Sequence, residues 1–242
     1  LNRRDEFGSL ASAFVTMQNG LAERERQLAH NALHDPLTGL PNRNLALERL
    51  GSAITAERPM ALLYLGISNL KALSESCGPG GTDLAIQQVT RRLQSILRPG
   101  DSIARIITDE FLLLLENTDS DNAVAIADQV QQLLIKPLHV GSLDFALDCC
   151  IGIAGYPTDG ASADDLLRRA SIAKGDAAKL PGRLQLYQSG RDAAHERQVR
   201  LIRDLRRAAS NGELVLHFQP KLDLLDTGLR QAEALLRWQH PQ

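Results

Sequence analysis

A short polar break between two apolar runs constrains the fold of this chain more than any other stretch. Residues 103–115 read Ile-Ala-Arg-Ile-Ile-Thr-Asp-Glu-Phe-Leu-Leu-Leu-Leu. Ile and Leu are typical of buried strands, and the break is long enough only for a tight turn, so the pattern predicts a β-hairpin. Asp109 and Glu110 are then expected to project from the edge of a sheet.

The residues of this turn do not suit the expected turn geometry. Tight hairpin turns commonly place Gly or Asn where φ must be positive. Here the turn is entered through Ile107 and Thr108, which are β-branched and tolerate a positive φ poorly. The turn is therefore expected to be unusual for a two-residue hairpin.

The composition is that of a globular protein with one or two domains. Of the 242 residues, 43% are hydrophobic and 23% are charged, which argues against disorder. A formal net charge of -2 provides no global basic field, so the sequence predicts no nucleic-acid partner. Cys149 and Cys150 point to opposite faces of any strand, and three cysteines in total predict a reducing compartment rather than a disulfide framework.

The first 31 residues carry a heptad stripe. Apolar side chains follow alternating steps of three and four residues at Phe7, Leu10, Phe14, Met17, Leu21 and Leu28. This spacing favours a parallel dimeric stalk, so we expect a homodimer through the N-terminal helix. The alternative is a single amphipathic helix that packs on its own domain.

The other elements mix strands and helices without strict alternation. Apolar periodicity and turn residues predict helices at 42–57, 123–135, 163–179 and 191–209 and strands at 60–67, 143–154, 184–187 and 213–220. A short helix is expected before the glycine-rich residues 78–81, and a longer helix that they open is expected to run to Leu97. Gly78-Pro79-Gly80-Gly81 lacks the Lys-Ser/Thr of a P-loop and predicts a turn between helices. The order predicts an α+β fold with a mainly antiparallel sheet.

Three motifs in this order resemble the GGDEF domain, the family that condenses two GTP molecules into cyclic di-GMP. The signature position carries Ile107-Thr108-Asp109-Glu110-Phe111, and the exit motif carries Ala178-Lys179 and Gly182-Arg183. The opening motif matches at every position and reads His34-Asp35-Pro36-Leu37-Thr38-Gly39-Leu40-Pro41-Asn42-Arg43. The resemblance implies a palm-like fold, similar to that of nucleotidyl cyclases, over residues 34–188.

The resemblance also implies that the metal site is incomplete. In active relatives one carboxylate comes from the signature turn and another from the end of the first strand. The turn supplies Asp109, but the matching strand position is Gly66, and its neighbour Ser68 has also lost an acid. Hard cations need convergent carboxylates, so we expect no metal ion bound in this domain.

The nucleotide contacts implied by the family are reduced as well. An asparagine and an aspartate bind guanine in the family, and the matching positions are Ser74 and Asp83. Ile107 and Thr108 replace glycines that let the backbone approach phosphate. The phosphate-side cations are retained as Lys71, Lys179 and Arg183, although these are equally compatible with ordinary surface charge.

Arg98 and Asp101 match the Arg-x-x-Asp motif that binds cyclic di-GMP as an allosteric inhibitor in the family. A guanidinium and a carboxylate at this spacing can recognise a guanine edge together with a phosphate. The alternative is structural. Arg98 closes a helix, where a cation favours the helix dipole, and Asp101 follows a Pro-Gly turn.

The C-terminal segment resembles the start of an EAL domain, the barrel phosphodiesterase that opens cyclic di-GMP. Glu233 matches a metal-binding glutamate, and Gln219 and Arg237 match ligand contacts. A barrel of this type needs about 250 residues, so residues 189–242 can form only a linker helix and the first strands. Mg²⁺ is thus expected only in a complete EAL domain of the parent protein.

Arg4-Asp5-Glu6-Phe7-Gly8-Ser9-Leu10 resembles the end of a HAMP module, which links membrane sensors to cytoplasmic output domains. We expect residues 1–19 to be HAMP-like and residues 20–33 to form a signalling stalk. The chain lacks an initial Met and a membrane span, so it is expected to be a soluble part of a protein at the cytoplasmic face of the bacterial inner membrane, attached through upstream segments.

These resemblances predict a catalytically degenerate GGDEF domain that senses GTP or cyclic di-GMP and regulates an EAL domain. Three alternatives stay open: a weak diguanylate cyclase, a parent protein that acts as a cyclic di-GMP phosphodiesterase, or a receptor whose barrel binds cyclic di-GMP without cutting it.

Overall fold

The computed structural model describes residues 6–141, 143–221 and 231–241 and separates into two compact units, Leu1–Ser189 and Gly190–Gln242. The elements of the first unit are, in chain order, α1 (Glu6–Leu33), α2 (Arg43–Thr55), β1 (Met60–Ile67), α3 (Leu70–Gln94), β2 (Ser102–Ile107), β3 (Glu110–Glu116), α4 (Ser120–Ile135), β4 (Leu138–Val140), β5 (Leu143–Phe145), β6 (Cys149–Tyr156), α5 (Ala163–Ala177) and β7 (Leu184–Leu186). None of the helices among the described residues has both the length and the apolarity needed to cross a bilayer.

The first unit is an α+β sandwich built on a five-stranded sheet in the order β2-β3-β1-β6-β7. The β1–β3, β1–β6 and β2–β3 pairs are antiparallel, and β6–β7 is parallel, which confirms the predicted mainly antiparallel sheet. All eight residues of β1 are buried, as its continuous apolar run predicts for a central strand. The sheet therefore has β1 at its centre and the predicted hairpin beside it.

The alternation of β1 divides the core into two layers. Leu63 and Leu65 pack with residues of α3 and α4, whereas Leu62 and Tyr64 pack with residues of α2 and α5. Because successive side chains of a strand point to opposite faces, position 66 lies on the same face as Tyr64. The end of β1 thus presents Gly66 toward the α2 and α5 layer.

The prediction of one continuous strand at 143–154 is wrong, because the structure has two separate strands there. Residues 146–148 interrupt it, so that β5 pairs with β4 in a separate two-stranded ribbon and β6 joins the main sheet. The Asn69 side chain donates to the Ala146 carbonyl (2.9 Å) and accepts from the Asp148 amide (3.0 Å). These bonds satisfy the loop backbone outside the sheet, which allows the strand to break there.

Helix boundaries agree with capping signals in the sequence. The Asn42 side chain accepts hydrogen bonds from the amides of Asn44 (3.0 Å) and Leu45 (3.2 Å), so α2 begins where the sequence predicts. The predicted turn at Gly78-Pro79-Gly80-Gly81 is reduced to a kink. Two helical segments meet at Gly78, whose φ of 68° interrupts α3.

Helix α1 is continuous over its 28 residues. Arg4 and Asp5 of the HAMP-like motif lie outside the described residues. The heptad side chains that are described are exposed, with 54% of Phe14, 63% of Met17, 59% of Leu21 and 70% of Leu28 accessible to solvent. The alternative in which this stripe packs on its own domain is therefore wrong for these four residues.

The second unit contains α6 (Arg191–Ala208), β8 (Leu214–Lys221) and β9 (Gln231–Trp238). The two strands form an antiparallel hairpin. The Trp238 indole donates to the Glu213 carboxylate (2.9 Å), which fixes the end of β9 beside the start of β8. Strands of a closed (β/α)8 barrel are parallel, so this hairpin alone does not establish a barrel, and the EAL assignment stays a prediction.

Candidate functional site

The signature hairpin reverses between β2 and β3 with Thr108 and Asp109 in the turn. Ile107 pairs with Glu110, and the register shifts between Arg105 and Ile107, which places an irregularity in β2 just before the turn. Among the described non-glycine residues a positive φ occurs only at Glu57, Asn117 and Arg183. The conflict expected between the β-branched residues and a positive φ is therefore absent, because the turn does not use that conformation.

The turn lies against the end of β1. The Ile67 amide donates to the Asp109 carbonyl (3.0 Å), and Gly66 is the register partner of Glu110. Asp109 is half-buried at this edge. The structure thus brings the signature carboxylates to the β1 end, and the residues it offers there are Gly66 and Ser68 rather than acids.

An ion pair ties the opening motif to this turn. The Arg105 Nη1 atom lies 3.0 Å from Asp35 Oδ1, and Arg105 Nη2 donates to the Thr108 carbonyl (2.8 Å). The side chains of Arg105 and Asp35 are only 10% and 20% exposed. Burial alone raises the pKa of Asp35, but hydrogen bonds from Thr38 and Arg105 outweigh it and hold the pKa below its usual value. Asp35 is therefore a charged anchor for the hairpin.

Glu110 binds a lysine that the sequence patterns did not single out. The Lys174 ammonium of α5 ion-pairs with Glu110 Oε1, and the Tyr64 hydroxyl donates to Glu110 Oε2 (2.7 Å). The Lys174 nitrogen also lies 4.7 Å from the centre of the Tyr64 ring. Burial, followed by the hydrogen bond to Glu110 and its charge, raises the pKa of Tyr64 well above its usual value, so the phenol stays protonated. Glu110 is thereby engaged on both oxygens.

Two glycines make room for Lys174. A Cβ on Gly152 of β6 would lie 2.0 Å from the Lys174 backbone nitrogen, so only glycine lets α5 approach the sheet this closely. A Cβ on Gly66 would lie 3.2 Å from Lys174 Cδ and 3.8 Å from Lys174 Cε. The aliphatic stem of Lys174 therefore passes over the position where relatives are expected to carry a metal-binding carboxylate.

The residues at this edge do not fit a divalent metal ion. No carboxylate from the end of β1 accompanies Asp109, because position 66 is glycine. Glu110 is bound by Lys174 and Tyr64, and the aliphatic stem of Lys174 fills the space beside Gly66. Across the residues that the structure describes, no three His, Cys, Asp or Glu side chains form a group that could hold a metal. Divalent cations such as Mg²⁺ need several oxygen ligands, and this edge supplies them poorly.

The predicted phosphate-side residues are only partly gathered here. The Arg183 guanidinium donates to the Ser68 hydroxyl (3.2 Å), which places it at the β1 end. Lys71 is 90% exposed and pairs with Glu75 (3.9 Å), and Lys179 is 67% exposed and pairs with Asp176 (3.8 Å). Of the three predicted cations, Arg183 is the one that contacts the end of β1.

The predicted guanine contacts lie on α3. Ser74 precedes the kink at Gly78 and is half-buried, whereas Asp83 follows the kink and is exposed. The kink thus separates the two positions between two helical segments. That Ser74 and Asp83 contact a bound nucleotide stays a prediction.

Known proteins with similar sequences and structures identify the family and the fold of this chain. The family model described as "Diguanylate cyclase, GGDEF domain" matches residues 32–183, which is more than half of the chain. The chain belongs to the GGDEF family. The GGDEF domain therefore contains the hairpin, the β1 end and the Asp35–Arg105 pair within its matched range.

Individual curated relatives are longer than this chain. The chain is 35% identical over 232 residues to MucR of Pseudomonas aeruginosa, described as a bifunctional diguanylate cyclase/cyclic di-GMP phosphodiesterase, covering 93% of this chain and 34% of MucR. It is 31% identical over 232 residues to the cyclic di-GMP phosphodiesterase PdeR of Escherichia coli, covering 94% of this chain and 34% of PdeR. The chain thus spans about a third of these relatives.

Solved structures agree on the fold. The GGDEF domain of YfiN (TpbB) from Pseudomonas aeruginosa superimposes with a TM-score of 0.64 at 26% identity. The match covers 67% of this chain and 99% of that domain. The predicted GGDEF-type α+β fold, with a central sheet and flanking helices, is confirmed.

In the Arg98–Asp101 motif of the GGDEF domain, the Asp101 carboxylate binds two backbone amides. Asp101 Oδ2 accepts from the Arg98 amide (3.0 Å), and Oδ1 accepts from the Glu116 amide (3.2 Å). A cavity of about 340 Å³ lies alongside, and Asp101, Arg49 and Arg58 are among its lining residues. Cyclic di-GMP binding at Arg98 and Asp101 stays a prediction, and a ligand there would compete with two backbone donors for the carboxylate.

The predicted EAL residues share one face of the C-terminal hairpin. Gln219 of β8 is the register partner of Glu233 of β9, and Arg237 lies four residues further along β9. Even spacing along a strand puts Glu233 and Arg237 on the same side. Lys221 lies 3.7 Å from Glu233. Gln219 and Glu233 are thus cross-strand neighbours, and Arg237 lies on the same face about 13 Å further along β9. Their role as ligand contacts stays a prediction.

Proposed function

We propose that this GGDEF domain is catalytically degenerate and acts as a regulatory, nucleotide-sensing module for an EAL domain in cyclic di-GMP signalling. The observation that carries this proposal is the end of β1, which lies against Asp109 and offers Gly66 and Ser68 instead of carboxylates. The relatives described as diguanylate cyclases or cyclic di-GMP phosphodiesterases support the signalling context.

The loss of activity follows from the chemistry of phosphoryl transfer. Catalysis of this reaction is almost entirely positioning and electrostatic stabilisation, and bound metal ions bridge the phosphates and neutralise their charge. A turn with Asp109 alone lacks the paired carboxylates for such an ion. Ser74 in place of the family asparagine removes one guanine contact as well. Both changes reduce catalysis, whereas nucleotide binding through Asp83 and Arg183 can persist.

A regulatory role is supported by the connection between α1 and the hairpin. The end of α1 is joined to the opening motif by hydrogen bonds from the Asn42 amide to the Leu33 carbonyl (2.9 Å) and from the Asn42 side chain to the Ala32 carbonyl (2.9 Å). The opening motif in turn holds the hairpin through Asp35 and Arg105. The exposed stripe of α1 fits a homodimeric stalk that carries the input, with HAMP and inner-membrane segments upstream in the parent protein.

The decisive experiment is incubation of the 242-residue chain with GTP and Mg²⁺, with cyclic di-GMP measured by liquid chromatography and mass spectrometry. We expect no product above the protein-free control, and we expect an Asp109→Asn variant to be indistinguishable from the wild type. Product formation that Asp109→Asn abolishes would establish a working cyclase and overturn the proposal. GTP and cyclic di-GMP binding, measured by titration calorimetry without turnover, tests the sensing role separately.

A second candidate function belongs to the parent protein, which we infer to be a cyclic di-GMP phosphodiesterase. The shared face of Gln219, Glu233 and Arg237 favours this function, because it presents an acid that suits a metal ion and, about 13 Å further along β9, a cation that suits a phosphate. Mg²⁺ would be bound in the complete EAL domain. Hydrolysis of cyclic di-GMP by the full-length parent, and its loss in Glu233→Gln, would support the assignment. Unchanged hydrolysis in that variant would contradict it.

A further inference from the structure

We propose that Lys174 is a tethered cation that replaces a divalent metal ion at the signature edge and keeps metal ions away from it. This inference rests on the proposed loss of cyclase activity and goes further, because it states what occupies the site. It concerns Lys174, Glu110, Tyr64 and the two glycines, Gly66 and Gly152.

The first argument is the unusual burial of Lys174. A helical lysine normally keeps its ammonium in water, yet the Lys174 side chain is only 16% exposed and its partner Glu110 only 17% exposed. Gly152 lets the α5 backbone contact the sheet, and Gly66 leaves the space into which the lysine stem extends. The surrounding sequence therefore builds a slot for this side chain.

The second argument is charge balance. A mostly buried carboxylate needs a compensating cation or hydrogen-bond donors. Glu110 receives the Lys174 ammonium on Oε1 and the Tyr64 hydroxyl on Oε2. The negative charge of Glu110 is thus compensated by groups of the protein itself, and no free ion is required.

The third argument concerns a restored carboxylate. An aspartate at position 66 would begin with a Cβ that lies 3.2 Å from Lys174 Cδ. Its carboxylate would therefore lie within reach of the Lys174 ammonium and would pair with it. A divalent ion brought to the same place would be repelled by the ammonium. Restoration of the missing acid alone should consequently fail to restore a metal site.

The test compares Mn²⁺ binding by four versions of the full 242-residue chain: wild type, Gly66→Asp, Gly66→Asp with Lys174→Met, and Gly66→Asp with Lys136→Met. Lys136 is an exposed lysine at the end of α4 and serves as the matched control. Free Mn²⁺ is measured by electron paramagnetic resonance. We expect the variant with Lys174→Met to bind Mn²⁺ about ten-fold or more tightly than Gly66→Asp, and the Lys136 control to match Gly66→Asp.

Equal affinity of Gly66→Asp and its Lys174→Met combination would overturn the inference, since Lys174 would then not guard the site. A measurement on the wild type keeps the inference testable if the variants fold poorly. Mn²⁺ broadens the amide resonances of residues near its binding site, and we expect no selective broadening of Gly66 and Glu110 in the wild type. Selective broadening of the Gly66 and Glu110 amide resonances would refute the proposal that Lys174 takes the place of a metal ion.

These outcomes are independent of the cyclase assay. Cyclic di-GMP synthesis by the wild type would overturn the proposed function. Equal Mn²⁺ binding by the two Gly66→Asp variants, with no synthesis by the wild type, would refute only the role of Lys174.

Discussion

The Arg105–Asp35 ion pair allows the most direct physical test of how the hairpin is held. Replacement of Arg105 by Met keeps much of the side-chain volume and removes the guanidinium. Breaking a buried pair typically costs about 3–5 kcal/mol. Asp35 is 20% exposed and retains bonds from Thr38 at 2.9 and 2.6 Å, so the low end of this range, about 3 kcal/mol, applies.

A compensating gain reduces this loss. Arg105 Nε is buried without a hydrogen-bond partner among the described residues, and its removal relieves a penalty of about 1 kcal/mol. The net effect of Arg105→Met is then a loss of about 2 kcal/mol. By the same reasoning, the exchange of amides in β3 should accelerate by about 30-fold, since each 1.4 kcal/mol is a factor of ten.

The assay is native-state hydrogen exchange of the β3 amides, which reports on the first unit alone. Arg58→Met is the matched control, because Arg58 also pairs through Nη1 with a carboxylate, that of Glu116 at 2.8 Å, but is 45% exposed. We expect the control to lose at most about 1 kcal/mol. Equal losses in the two variants, or no coupling between Arg105→Met and Asp35→Asn in a double-mutant cycle, would refute the reasoning.

The remaining predictions concern pH, packing and the Arg-x-x-Asp motif. The pKa of Asp35 is lowered in the folded state, so the ionised carboxylate should stabilise the fold fully above the unfolded-state pKa of about 3.9. This contribution to the free energy of unfolding should be lost as the pH falls through the folded-state pKa of Asp35. Urea titrations of the wild type and Asp35→Asn at several pH values measure it. Gly152→Ala should lower the free energy of unfolding by about 3 kcal/mol or more, because its Cβ would meet backbone atoms at 2.0 and 2.2 Å. Gly175→Ala has nothing within 4 Å of its Cβ and should raise the free energy of unfolding by about 0.5–1 kcal/mol. Similar melting temperatures of the two variants would contradict the packing argument. Asp101→Ala should cost about 1–2 kcal/mol because two backbone donors lose their acceptor, and Arg98→Ala should cost less than about 0.5 kcal/mol; equal costs in urea titrations would count against the structural role of Asp101.

Much of the fold could be predicted from local patterns. The apolar run at Met60–Ile67, the cap at Asn42 and the hairpin around Asp109 all depend on residues close together in the chain, and the structure confirms each. The position of Asp109 beside the β1 end was accessible only through the family resemblance, because it depends on pairing between strands more than 40 residues apart.

The parts that could not be predicted depend on contacts between distant residues. Nothing around Lys174 distinguishes it from a surface lysine of an amphipathic helix, and its contact with Glu110 depends on glycines in two other strands. The break before β6 arises because Asn69, far away in sequence, binds the backbone at 146–148. The turn at Thr108 adopts no positive φ and follows a register shift in β2, and composition reveals neither feature.

The continuity of α1 determines which motion can reach the hairpin. A helix of 28 residues is about 42 Å long, so a sideways displacement of a few ångströms at Glu6 tilts it by only a few degrees at Leu33. Rotation about the helix axis, in contrast, passes along a stiff rod undiminished. The bonds from Asn42 to Ala32 and Leu33 would convert such a rotation into torque on the loop that holds Arg105. On this geometry, rotation of α1 about its axis would reach the loop before α2 more fully than a sideways displacement of its N-terminal end.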